Sequence, residues 1–271
     1  MSPRRVPDAR LGAVEDILLV EVADRVATVT LNRPRVRNAL NAALREALPT
    51  AFETLDNDEA VDVIILTGAD PAFCAGVDLK ELGQGSGGGR VRDLIEGGSP
   101  LGTISKPVIG AINGVAVTGG FEVALNCDFL IASDRASFAD THARVGIQPG
   151  WGLTVLLPQA IGVRRAREMS TTGNFVDAQT ALAWGLVNRI VAHHDLLPTC
   201  RALAADIVSN DQPGVRRIMR TYAESAAIIT TPARRMEAEV SMEWLRSGGG
   251  RPEEVERRRK AIVERGRTQL A

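Results

Sequence analysis

Cysteine is scarce in this 271-residue chain, and its placement excludes two common uses. Cys74, Cys127 and Cys200 are odd in number and far apart, which fits neither a disulfide framework nor a metal cluster and suits a reducing cytoplasm. Long apolar runs are lacking as well: none reaches the ~18 residues that a membrane-spanning helix needs. Neither sign of charge prevails. Lys and Arg total 32 against 33 Asp and Glu, a net charge of −1, so no global field draws the chain to nucleic acid or to a membrane. Lysine itself is nearly missing, with only Lys80, Lys106 and Lys260, a bias we read as genomic rather than functional. No Gly-x-Ser-x-Gly elbow and no Walker A loop occur. His193 and His194 are adjacent and point different ways, so no metal site is expected. Residues 1–14 are Arg-rich, contain Asp8 and have no apolar core, unlike a secretory leader.

What the chain does have is alternation. Apolar strand-like runs recur near 17–22, 26–31, 61–66, 107–112, 128–132 and 187–191. Helical patterns lie near 42–57, 91–104, 120–127, 153–161, 164–171 and 177–184. That succession predicts an α/β domain, and the length allows one large domain or two small ones. Beyond about residue 195 the strand signals stop, and 195–209, 213–228, 230–247 and 252–266 read as helices, with Gly248-Gly249-Gly250 between the last two. Gly83 to Gly89 formally contain Gly-x-Gly-x-x-Gly, but no strand precedes them, so a flexible linker is predicted rather than a nucleotide loop.

The segment with the most chemistry is Gly114-Val115-Ala116-Val117-Thr118-Gly119-Gly120-Phe121-Glu122, which follows the apolar run Pro107 to Ile112. It places two glycines at a helix start. The N–H groups there are unpaired and lie at the positive end of the helix dipole, which suits an oxyanion. Residues three apart share a helix face, so Glu122 falls on the side of the Gly119 N–H. Its neighbours Phe121, Val123, Ala124 and Leu125 are apolar, and a carboxylate in such a helix calls for a function or a partner. A second apolar strand, Val61 to Gly68, leads into Ala72-Phe73-Cys74-Ala75-Gly76-Val77-Asp78-Leu79-Lys80, where Gly76 permits close backbone approach to a ligand.

With Asn32-Arg33-Pro34, Arg37-Asn38-Ala39-Leu40, Lys106-Pro107-Val108-Ile109 and Cys127-Asp128, these segments form an ordered series that resembles the enoyl-CoA hydratase/isomerase (crotonase) superfamily. The resemblance covers roughly residues 15–195 and, more loosely, the C-terminal helices. It implies a spiral of ββα units: a flexible arm over 1–14, a crotonase core with a CoA-thioester site over 15–195, and a helical oligomerisation region over 196–271. A homotrimer or a dimer of trimers is implied, acting on an acyl-CoA thioester, with coenzyme A as part of the substrate and no further cofactor. Carried over by position, Val77 and Gly119 supply an oxyanion hole through their N–H groups and Glu122 is the catalytic acid/base. Arg37, Ala39, Ala75, Gly76, Asp78, Leu79, Lys80, Gly120 and Trp151 line the CoA and acyl site, and Arg33 is a further candidate for CoA phosphates. A basic residue of Arg257-Arg258-Arg259-Lys260, by its own pattern a solvated helix face, can in the family reach a neighbour's CoA.

The chain departs from the family at His142, which stands where the second catalytic glutamate is found. A histidine there can relay protons near its ordinary pKa of about 6.5, or merely fill space beside the pocket. Asp140 is close by, but on a strand its side chain can face elsewhere. The resemblance favours hydration of 2-enoyl-CoA. Double-bond isomerisation, or thioester binding without catalysis, are the alternatives.

Overall fold

The structure, a computed structural model, describes residues 4–5, 17–83 and 98–270. Strands β1 (Arg4–Arg5), β2 (Leu18–Ala23) and β3 (Val26–Leu31) are followed by helix α1 (Ala42–Asn57). Three repeats of strand, strand, helix come next. They are β4 (Val63–Gly68), β5 (Ala72–Cys74) and α2 (Leu79–Gly83); β6 (Val108–Ile112), β7 (Val115–Val117) and α3 (Gly119–Leu125); and β8 (Phe129–Ser133), β9 (Ser137–Ala139) and α4 (His142–Val145). The rest is α5 (Leu153–Ile161), α6 (Val163–Thr172), β10 (Val176–Asp177), α7 (Ala178–Trp184), β11 (Arg189–Val191), α8 (Leu196–Val208), α9 (Gln212–Arg246) and α10 (Pro252–Leu270).

The first strand of each repeat joins a seven-stranded sheet, β1-β2-β3-β4-β6-β8-β11, and the second joins a four-stranded sheet, β10-β9-β7-β5. From β3 to β11 the large sheet is parallel. Its strands β4, β6 and β8 are buried on both faces, which explains their apolar runs. On β4, Ile64 and Leu66 enter the main core with Phe52 and Phe73, while Val63 and Ile65 face Leu196, Cys200 and Ala204 of α8. The repeats are the ββα spiral that the resemblance implies. In the small sheet β5, β7 and β9 run parallel and adjacent, so the chain leaves their three carboxyl ends side by side.

Several expectations are corrected. The three-residue strands β5 and β7 were not predicted, because they are too short to display a period. Residues 98–104 are not helical; the remainder of the predicted 91–104 helix, and the linker from Gln84 to Gly89, lie outside the described residues. The predicted helices 213–228 and 230–247 are one helix, α9, with Pro232 inside it. A proline removes one helical hydrogen bond at a cost of about 3 kcal/mol, and α9 carries on because side chains beyond Pro232 anchor it to the core, as described below. Of the arm at 1–14, Arg4 and Arg5 pair with Val22 and Glu21 as a short strand, and the rest lies outside the described residues.

Candidate active site

Two backbone turns meet at the carboxyl ends of β5 and β7. Val77 forms an isolated parallel bridge with Leu40. The Leu40 N–H donates to the Gly76 carbonyl at 2.8 Å, and the Asp78 N–H to the Leu40 carbonyl at 3.1 Å. The pairing therefore engages the groups on either side of Val77 and turns the Val77 N–H the other way. Gly76 sits at φ 88°, a conformation that favours glycine. Thr118, ahead of Gly119, has φ 54° and ψ −117°, an outlier for a β-branched residue. It is held there because its N–H continues the small sheet to the Ala139 carbonyl at 2.9 Å and its hydroxyl meets that of Thr141. Strain of this kind gathers at functional sites, and here it sets the direction of the Gly119 N–H. A Cβ built on Gly76 would lie 3.4 Å from the Gly119 nitrogen, so the two turns abut. Among the described residues neither N–H donates to a protein acceptor.

Glu122 is buried on α3. Its Oε1 accepts from the N–H groups of Gly150 at 3.2 Å and Trp151 at 2.8 Å. Its Oε2 lies 3.4 Å from Nε2 of His142, which opens α4 beyond the end of β9. The other ring nitrogen of His142 donates to Asp140 Oδ1 at 2.6 Å, and the same oxygen accepts the His142 N–H at 3.1 Å. Asp140 thus faces the site: β9 ends at Ala139, and the turn that follows carries the carboxylate under the ring, contrary to the strand-based expectation.

Burial alone would lower the His142 pKa, but hydrogen bonds to Asp140 and Glu122, with their charges, outweigh it and hold the imidazole up to about 10. The two carboxylates therefore favour the imidazolium form and shift its titration upward from the ordinary 6.5. Burial pushes the Asp140 carboxyl up, yet the hydrogen bond from His142 and its charge win and keep it below the usual range. One oxyanion-type pair of N–H groups, one carboxylate and one charged imidazole make a set suited to moving protons beside a polarised carbonyl.

The remaining candidates fall into two groups. Trp151 lies against the site, its Cζ3 3.1 Å from where a Cβ on Gly119 would be. Ala39, Gly76, Leu79 and Asp78 line the turn beside Val77. Arg37 and Lys80 are exposed at its edge. Two residues, Arg33 and Gly120, have other work, and Ala75 is engaged through its N–H. The Arg33 guanidinium is bound to Asp78 at 3.1 Å and to the Ala39 carbonyl, so it closes this loop rather than standing free for a phosphate. The Ala75 N–H donates to the Arg37 carbonyl at 2.9 Å. A Cβ on Gly120 would fall 2.3 Å from the Cys74 carbonyl oxygen, so Gly120 lets α3 pack onto β5 rather than facing a ligand. Sequence reasoning missed Asn126, whose side-chain amide donates to the Glu122 and Trp151 carbonyls at 2.8 and 3.0 Å. Its position one turn beyond Glu122 was the available signal.

Thioester-type carbonyl chemistry at the ends of parallel strands in a ββα spiral defines the class, and comparison with known proteins agrees with it. Residues 21–249 match the family model described as enoyl-CoA hydratase/isomerase. The chain is 43% identical to a probable peroxisomal enoyl-CoA hydratase of Arabidopsis thaliana, over 71% of this chain and 73% of the relative. It is 36% identical to a crotonyl-CoA hydratase of Syntrophomonas wolfei, over 75% of this chain and 80% of the relative. Among solved structures, an enoyl-CoA hydratase from Mycobacterium smegmatis superposes with TM-score 0.78 at 52% identity, covering 85% of this chain and 99% of the other. One from Mycobacterium tuberculosis H37Rv gives TM-score 0.79 at 49% identity, covering 86% and 99%. The chain belongs to the enoyl-CoA hydratase/isomerase family.

Proposed function

We propose that this protein adds water across the double bond of 2-enoyl-CoA thioesters. The observation that carries the reading is the 3.4 Å contact between Glu122 Oε2 and His142 Nε2, beside the two free N–H groups of Val77 and Gly119. In this reading the thioester oxygen sits between those N–H groups. Glu122 takes a proton from water as its oxygen bonds to the β-carbon. The π electrons move to the thioester oxygen, which the N–H pair stabilises; one such donor is worth on the order of 3 kcal/mol. His142, as imidazolium, gives the Nε2 proton to the α-carbon. Transfer of the proton from Glu122 to Nε2 restores both groups. Asp140 holds the ring and its charge. Coenzyme A enters as part of the substrate, with Arg37 and Lys80 at its phosphates, and the steps draw on no metal or redox cofactor.

One observation favours a second reading. Glu122 is a buried carboxylate beside the Val77 and Gly119 N–H groups, and a single base so placed is what moving one proton between α- and γ-carbons requires. Assaying purified protein with crotonyl-CoA and with a 3-enoyl-CoA separates the two. Hydration of the first is expected. Turnover of only the second would favour isomerisation, and calorimetric binding without turnover of either would leave a thioester-binding protein.

No helix among the described residues is long and apolar enough to cross a membrane. The three cysteines are free, in keeping with a reducing compartment, and we place the enzyme in the cytoplasm. We also infer a homotrimer or dimer of trimers. α9 exposes Ile218, Tyr222, Ile229, Met236 and Val240 at helical spacing, an apolar stripe suited to another copy of the chain.

A further inference from the structure

The backbone that holds Glu122 is itself held by the C-terminal helix. Gly150 and Trp151 give their N–H groups to Glu122, and Gly152 and Thr154 of the same turn serve a different carboxylate. Glu237 of α9 accepts the Gly152 N–H at 2.6 Å on Oε1 and the Thr154 N–H at 2.7 Å on Oε2, with the Thr154 hydroxyl as a third donor. Helix α5 begins here with Gly152 at φ 95° and no cap of its own. Its unpaired N–H groups need an acceptor, and Glu237 provides it from a distant part of the chain. One turn earlier on α9, Arg234 donates to the Trp151 carbonyl at 3.3 Å and to Asn126 Oδ1 at 2.9 Å. Asn126 in turn binds the Trp151 and Glu122 carbonyls. Glu237 is buried, and burial and the nearby Glu122 charge raise its pKa. A carboxylate kept in so unfavourable a place has strong local partners.

We propose that Glu237 and Arg234 are positioning residues for the reaction: they fix the 150–154 turn so that its N–H groups aim the Glu122 carboxylate at His142 and the substrate. The proposal rests on the hydratase reading above. It predicts a particular kinetic signature. The turn's N–H groups bond Glu122, while the Trp151 ring lies against Gly119, so loosening the turn lowers kcat far more than it changes KM for the thioester.

The test uses full-length Glu237→Gln, which keeps the side chain's shape but sets an amide NH2 against an N–H donor. With fold retained by circular dichroism, kcat on crotonyl-CoA is expected to fall about tenfold to a hundredfold, the scale of a small misplacement of a catalytic group, with KM within about twofold. In a Glu122→Gln background the same substitution is expected to change the residual rate less than about twofold, because a residue acting through Glu122 has nothing left to position. An unchanged kcat in Glu237→Gln, or a full additional loss in the double variant, overturns the proposal. If Glu237→Gln does not fold, Arg234→Met is judged by the same split. If the wild type turns over no enoyl-CoA, the hydratase reading fails and the positioning is judged without turnover. The chain has three tryptophans, so 15N-tryptophan labelling resolves the Trp151 amide proton. In Glu237→Gln it must move upfield toward its position in Glu122→Gln, and an unmoved signal refutes the positioning.

Discussion

At the scale of single residues, the departure from paired glutamates at His142 changes how the site depends on pH. A neutral histidine would give a limb near 6.5, but the flanking Glu122 and Asp140 carboxylates hold the imidazolium to about 10. If His142 is the proton donor to the α-carbon, activity falls as pH rises through about 10. His142→Gln is expected to remove that limb and to slow the reaction on the order of a hundredfold, a typical scale for an acid–base group. Stability follows the same sign. The folded pKa lies above the ordinary 6.5, so the contribution is complete below pH 6.5 and is lost as pH climbs through about 10. Thermal melts of wild type should therefore decline across that window more steeply than those of His142→Gln; parallel curves would contradict the charged ring. Glu122→Gln should keep thioester affinity in calorimetry and lose about a hundredfold or more in rate; unchanged turnover would remove Glu122 from the mechanism.

At the scale of elements, the two neighbouring glycines at the start of α3 do different things, and substitution separates them. A Cβ on Gly119 meets Trp151 Cζ3 at 3.1 Å and Val77 Cγ2 at 3.4 Å, side chains that can yield slightly. A Cβ on Gly120 meets the Cys74 carbonyl oxygen at 2.3 Å, which is backbone and cannot. Gly120→Ala is expected to cost roughly 1–3 kcal/mol, as overpacking does, seen as a lower melting temperature. Gly119→Ala should melt close to wild type and lose rate by crowding the thioester oxygen. A Gly119→Ala variant with full activity would contradict the oxyanion assignment. This pair also marks what the sequence makes legible. A glycine pair before an apolar helix, with a carboxylate one turn on, announces both the helix start and Glu122. The sequence does not separate a glycine that faces substrate from one that faces β5, since that depends on a three-residue strand with no readable period. Asp140 illustrates the same limit, because its direction depends on β9 ending one residue before it. Arg234 and Glu237 were beyond local reading for another reason: α9 also carries Arg235, Glu239 and Glu243, and only contact with the 150–154 turn picks out the inward pair.

At the scale of the whole molecule, α9 has two faces with opposite relations to solvent. Glu237, Ala238, Ser241 and Met242 are buried against the core, while Tyr222, Ile229 and Met236 are 71%, 73% and 65% exposed. A single chain gains nothing by showing three such side chains to water on one helix. Burying each is worth about 1.5–3 kcal/mol for residues of this size, and another copy of the chain is a natural partner in a symmetric assembly. Because these side chains are largely exposed, charges placed there should spare the fold and break the assembly. Light scattering at micromolar concentration is expected to report a trimer or hexamer for wild type. For Ile229→Glu combined with Met236→Glu it is expected to report a smaller species with the same circular dichroism spectrum. A wild-type monomer would reject the assembly, and an unchanged oligomer in the double variant would move the interface off α9. In the dissociated variant the Glu237 and Arg234 contacts to the 150–154 turn lie within one chain. The Glu122 site should therefore keep its geometry, and any loss of turnover on dissociation would point to substrate contacts supplied by a neighbouring copy.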